Sequence, residues 1–461
     1  MAGWATLLFL AARDRYADLR YARYDLGNMV QAVWSTAHGR LLESTNGFTG
    51  EQTSRLASHF DPILAAVAPL WLLAPSPLTL EALQIFVVAL GALPVYWLGQ
   101  RHLESPRAAT LLALAYLACP WIAWNALDAL HPVTLAIPLF LFCIWFLDSD
   151  RLVPFAICGA LVLTTGELMG LFLAGVGVWC AFSLGRRMVG IVTVLVGVGW
   201  TSLILLVVIP QFSGSDSAFY GAYDKVGGSP AGIAKTAVTD PVAVLSAVTE
   251  QRDFVYLLLL ALPTAGVFVL APPVAALALP QLAVNLLADV PGTTDPHEHY
   301  GAAILPFLFA ATAIGLGRLT SRGRERGALL VATAAIAASI TVGPWPGSFL
   351  GAGAWDPLNT SPQYVQALDR AVSLVPDGAP VTSTNRVGSR LAERRYFYSV
   401  PVIGRAEWAV IEVSDTWIPT AYSGESQPAK LRAFLARIEH SPHWVRVSEE
   451  SGIVVYRRLD R

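Results

Sequence analysis

In a chain of 461 residues that is 54% hydrophobic and 14% charged, the side chains worth asking about are titratable groups at the borders of apolar sequence. "SHFDPILAAVAPLW" opens with His59 and Asp61 ahead of Pro62, which suits the first turn of a helix. Asp61 there is a helix cap or a ligand; His59 is a solvated histidine or a group for binding phosphate or metal. "DALHPVTLAIPLF" carries Asp128 and His131, three apart, which one helical turn would place on a common face. Such a pair can hold a divalent ion once further ligands join it, or can hydrogen-bond to itself. Glu167, in "LTTGELMGLFLAG", has apolar sequence on both sides. An ionisable group at that depth is costly, so it marks a site or caps a helix. "TTDPHEHYGAAILPF" supplies His297, Glu298 and His299, an H-x-H spacing suited to metal or phosphate on a loop. Asp25, in "RYARYDLGNMVQAVWSTAHGR", precedes Leu26, Met29, Val30, Val33 and Trp34 at helical spacing. It is the N-cap of a short amphipathic helix or a general base at the membrane boundary. Arg55 and Arg252 are candidates for phosphate contact.

The elements that position these groups follow from the hydropathy. Apolar runs fall at about 2–12, 79–99, 107–124, 133–147, 152–165, 168–185, 188–210, 253–270, 272–289, 301–317 and 327–342, giving a polytopic membrane protein of about eleven transmembrane helices. The first run, before Arg13, reads as a short first span, with a signal peptide as the alternative. Residues 62–74 are short and flanked by prolines, and read as a helix lying at the interface. All four cysteines lie in apolar segments without metal spacing and read as packing residues. The net charge of −2 gives no sign of nucleic acid as a partner.

With 62–74 at the interface, "RHLESPR", "DSDR", "RRM" and "RLTSRGRERG" fall on one side, which the positive-inside rule makes cytoplasmic. The N-terminus is then cytoplasmic. A long first loop (13–78), Asp128, His131, Glu167, Arg252, His297 and His299 face the other side. The membrane domain spans 1–342, and 343–461 is read as a small extracytoplasmic α/β domain. In it "SPQYVQALDRAVSLVP" and "QPAKLRAFLARIEH" are helices, "APVTST", "YFYSVP" and "WAVIEVS" strands, and "WVRVSEESGIVVYRRL" a hairpin.

"RYDLGNMVQAVWSTAHGR", "SHFDPILAAVAPLWLLAPSPLTLEALQ" and "LHPVTLAIPLF" resemble the DUF2079 family of prokaryotic membrane proteins, which is grouped with the GT-C superfamily of polytopic glycosyltransferases. The resemblance implies a mainly α, GT-C-like fold with an acidic residue near the start of a long outer loop, matched by Asp25. It implies Asp25 as catalytic base toward an acceptor hydroxyl, and a sugar donor carried on polyprenyl phosphate. His59, Asp61, Asp128, His131, Glu167, His297, His299, Arg55 and Arg252 would bind substrate. "HFDP" stands near the place of a His-Pro-Pro type motif, and Asp128 and Glu167 match further outer acids. No clear outer Asp-x-Asp motif is present, so a divalent metal ion, with Asp128 and His131 as its ligands, is an open option. The expected function is transfer of a hexose or pentose to a glycan, lipid or protein acceptor at the cell membrane. The rivals are a transporter or lipid flippase, marked by repeated halves and midplane charges, and a membrane scaffold or sensor.

Overall fold

The computed structural model describes residues 1–214, 218–350, 361–419 and 424–459. The chain divides into two compact units, one of residues 1–11, 59–61 and 82–356, the other of 12–58, 62–81 and 357–461.

The first unit is helical, and the predicted apolar runs fall mostly on helix, with breaks such as Ala265 and Gly266 inside the run 253–270. Among the described residues three helices are long and apolar enough to cross a membrane: Pro77–Leu103, Arg187–Ser213 and Ser321–Val342. Pro106–Ala118 and Pro120–Leu127 together pass the same test as a pair bent by 47°, a broken span or a re-entrant loop, with the break where Cys119 leaves the helical conformation ahead of Pro120. Shorter apolar helices include Pro132–Asp148, Leu152–Leu163, Met169–Ser183, Pro272–Leu287 and Leu305–Leu316. Glycine sets the closest approach among them. A Cβ on Gly170 would stand 2.4 Å from the carbonyl oxygen of Gly197, so Met169–Ser183 and Arg187–Ser213 meet backbone to backbone. The outward faces of the second of these stay apolar and exposed, as at Leu195 and Leu206, as a lipid-facing surface requires.

The second unit joins the long loop after the first helix to the C-terminal segment. The sheet has the order Phe397–Ser399, Val381–Ser383, Trp408–Glu412, Ile453–Arg458, Trp444–Glu450; its first three strands are parallel and the rest antiparallel. The Pro428–Glu439 helix buries Leu431, Phe434 and Ile438 against Ala409, Ile411, Val454 and Tyr456. Pro362–Ser373 presents Ala367, Leu368 and Ala371 inward, the spacing of three and four that the sequence predicts. Ile63–Leu73 is a helix within this unit, and the loop adds a two-stranded ribbon, Glu43–Thr45 with Gln52–Ser54, that the sequence pattern did not announce.

Candidate functional site

Two turns of the first unit gather titratable groups. In the turn after Pro120–Leu127, Asp128 and His131 are both extended, so the helical turn expected to pair them is absent. They meet all the same, with His131 Nδ1 3.5 Å from Asp128 Oδ2. The reason is Gln84, wholly buried, whose amide nitrogen donates to the carbonyl of Asp128 at 2.7 Å and whose amide oxygen accepts from the His131 N–H at 2.9 Å. His299 completes the group: its Nδ1 lies 3.0 Å from Asp128 Oδ2, and its ring stacks on His131 with centroids 3.6 Å apart. One ligand atom from each of Asp128, His131 and His299 lies within 4.8 Å of the others. His131 Nδ1 is also 2.6 Å from Ala129 O, to which it donates, and His299 Nδ1 donates to Asp128. One carboxylate and two imidazoles, partly buried, form a donor set that fits a divalent ion of the zinc or manganese type.

The His299 loop is held from beneath. Asn285 Nδ2 donates to the carbonyl of Tyr300 (3.0 Å) and contacts the Tyr256 hydroxyl (2.9 Å), while Gln281 donates to Asn285 Oδ1 (2.6 Å). Asn125 Nδ2 reaches the carbonyl of Glu298 at 3.3 Å. His297 parts company with His299. It pairs with Asp295 of its own turn at 2.6 Å, and its ring stands edge-on to Trp121 and Trp124. The hydrogen bond from His297 holds the Asp295 carboxyl below its ordinary pKa.

Glu167 occupies the turn between Leu152–Leu163 and Met169–Ser183, and it does not cap the second helix, whose N-cap is Leu168. Its carboxylate faces His59, with Nδ1 3.2 Å from Oε1, and accepts the Phe60 N–H at 3.2 Å. Burial opposes ionisation. The facing His59, by charge and hydrogen bond, and the backbone N–H groups of Glu167 and Phe60 prevail, holding the pKa at about 2. The His59 ring packs on Phe219, centroids 4.5 Å apart. Gly166 lies against Val133, two residues from His131, so the two turns are neighbours. Asp61 is 3% exposed and precedes the Ile63–Leu73 helix, whose N-cap is Pro62. Arg252 is committed to Glu250 (2.9 Å) and to the carbonyl of Ala288 (3.0 Å).

In the second unit Asp25 is the third residue of a π-turn, Arg23–Gly27, that runs into the Asn28–Ala37 helix. The N-cap positions fall to Ala22 and Gly27, so Asp25 is not a cap, and it is exposed. The turn around it is rigid. Arg23 is fully buried, donating to the carbonyls of Thr45 (3.1 Å) and Phe397 (2.8 Å) and to Asn28 Oδ1 (2.9 Å). Burial lowers its pKa to about 10, which leaves it protonated at neutral pH. The Tyr24 N–H donates to Asn385 Oδ1 at 3.1 Å, and the Tyr24 ring stands edge-on to Phe48 and Trp417. Gln31 spans Thr45 and the carbonyls of Arg394 and Arg395. Arg55 is buried at the head of the Arg55–Ala57 turn. Sequence reasoning missed Gln84, Arg23 and Gln31; each is a polar residue within or beside a predicted apolar face, which was the available signal.

The DUF2079 family model, described as "Predicted membrane protein", matches residues 15–455. Among solved structures, ArnT from Cupriavidus metallidurans bound to undecaprenyl phosphate aligns over 99% of this chain and 98% of that one, at 14% identity and a TM-score of 0.53. The arabinofuranosyltransferase AftD from Mycobacteria aligns over 100% of this chain but 41% of its own, at 14% identity and a TM-score of 0.51. No curated protein matches in sequence. The fold is GT-C-like, as the resemblance of the motifs implied.

Proposed function

The chain belongs to the DUF2079 family of predicted membrane proteins, and from that premise we propose that it is a membrane glycosyltransferase using a polyprenyl-phosphate sugar at the extracytoplasmic face. The observation that carries this reading is the likeness in fold, along nearly the whole of both chains, to a protein bound to undecaprenyl phosphate.

In the proposed reaction the bond from the anomeric carbon to the phosphate oxygen breaks, a bond to the acceptor oxygen forms, and polyprenyl phosphate leaves. Asp25 is the base that takes the acceptor hydroxyl's proton; an exposed carboxylate on a rigid turn is suited to this. Asp128, His131 and His299 serve the phosphate side, as proton donors or as the ligands of a divalent ion. Such an ion, when bound, supplies positive charge for the departing phosphate. His59 is held by Glu167 as a second imidazole for phosphate. Asp61, Arg55, His297 and Arg252 are retained in this proposal as substrate-binding candidates. A transporter would need ionisable groups at mid-span, whereas Asp128, Glu167 and His299 lie in turns at helix ends.

The test is mass spectrometry of lipids that copurify with the protein, followed by a transfer assay with the lipid found. A bound polyprenyl-phosphate sugar that is consumed in the presence of an acceptor supports the reading. A protein that binds no such lipid and turns none over overturns it.

A further inference from the structure

Away from the histidine turns, the Pro77–Leu103 and Ala136–Asp148 helices pack together and run out beside one another at the arginine-bearing loops. An aromatic groove lies at their ends. The Trp97 ring is 5.8 Å from Trp145 and 6.0 Å from Phe142, centroid to centroid. Two adjoining cavities of about 410 and 440 Å³ share Trp97 and Trp145; the first is closed by Phe146 and Arg151, the second by Gln100 and Arg101.

The cations of this groove are underused. Arg151 is exposed and has no acidic partner among the described residues. Arg101 Nε lies 2.8 Å from Asp148 Oδ2, and that same carboxylate oxygen is also 3.1 Å from His102 Nε2. The Arg101 side chain is 51% exposed, so its guanidinium keeps an open face beside this shared carboxylate. Guanidinium groups above aromatic walls, at the end of two apolar helices, match the zone where a phospholipid turns from acyl chain to phosphate. The rings take the glycerol and first methylenes, and the two arginines take the phosphate oxygens. A zwitterionic headgroup brings its own ammonium against the arginines, so the charge selects an anionic one. A free phosphate gains nothing from the aromatic walls.

We propose that this groove is a binding site for an anionic phospholipid. The site is separate from the turns that carry Asp128, His131, His299 and Glu167, and it stands whether or not the chain is a glycosyltransferase.

The experiment is native mass spectrometry of the full chain, released from detergent with added phosphatidylglycerol or phosphatidylcholine. The wild type should retain phosphatidylglycerol roughly tenfold or more over phosphatidylcholine, from two arginines at a lipid surface. The double variant Arg101→Gln, Arg151→Gln should fall to within about twofold, while the control Arg322→Gln, Arg326→Gln keeps the preference. Excess inorganic phosphate should displace none of the bound lipid. Equal retention of the two lipids by the wild type overturns the proposal without any variant. So does an undiminished preference in a monodisperse Arg101/Arg151 double variant, or full displacement by inorganic phosphate.

Discussion

Asp25 and Glu167 differ in exposure, the first exposed and the second only partly so, and their substitution should read out differently. Asp25 is exposed, and Arg23, Tyr24 and Asn28 make contacts that shape its turn. Asp25→Asn should therefore insert and fold like the wild type yet lose sugar transfer by roughly 100-fold or more, the usual worth of a general base. Unchanged turnover in a transfer assay would remove Asp25 from the mechanism. Glu167→Gln keeps an oxygen for the Phe60 N–H but loses the ion pair to His59. Because His59 is about a third exposed, the cost should be modest, about 1 kcal/mol. The sign of its pH dependence follows from the depressed pKa of about 2. The contribution is fully present above the ordinary carboxylate value of about 4.3 and fades as pH falls toward 2. Thermal unfolding in detergent should thus separate wild type from Glu167→Gln at pH 7, and the gap should narrow below about pH 4.

At the scale of elements, the turns gather what the sequence scatters. The helices, the strands of the C-terminal segment and most of their boundaries could be read from hydropathy and period, because burial dictates those patterns residue by residue. Asp128, His131 and His299 were each legible as candidates. Their meeting was not, since 171 residues separate Asp128 from His299, and nothing local encodes that approach. The same holds for His59 and Glu167, 108 apart. Local rules also offered capping for Asp25 and Glu167, since helix-start chemistry favours such residues, but the N-cap positions fall to Ala22, Gly27 and Leu168. Gln84 is the element-scale test of the Asp128 cluster. Gln84→Ala should strip the support from both ends of the 128–131 turn while leaving all three ligands in place. Zinc or manganese bound per protein, measured by elemental analysis after dialysis, should fall roughly 10- to 100-fold in affinity, as it does when supporting groups are removed from metal ligands. His299→Ala should abolish it. Equal binding by all three proteins would show that the cluster is not a metal centre.

For the molecule as a whole, orientation is the quantity on which the proposed function depends most, since a lipid-linked sugar would be presented on one face of the membrane only. The basic loops predict that Glu51 lies outside and Ser321 inside. With Cys158→Ser as background, a membrane-impermeant maleimide added to intact cells should label Glu51→Cys and spare Ser321→Cys, both positions being exposed. The reverse pattern would invert the topology. Three remaining native cysteines are buried and give little background.

The turn that carries Asp25 is stitched to residues made some 360 positions later: Asn385, Arg394, Arg395 and Phe397. During synthesis the acid emerges early and its mould emerges late. A nascent or prematurely ended chain thus carries the carboxylate without the frame that fixes it, with Arg23 left lacking its Phe397 acceptor. If Asp25 is the base proposed above, its frame is complete only once the segment 385–397 has been made.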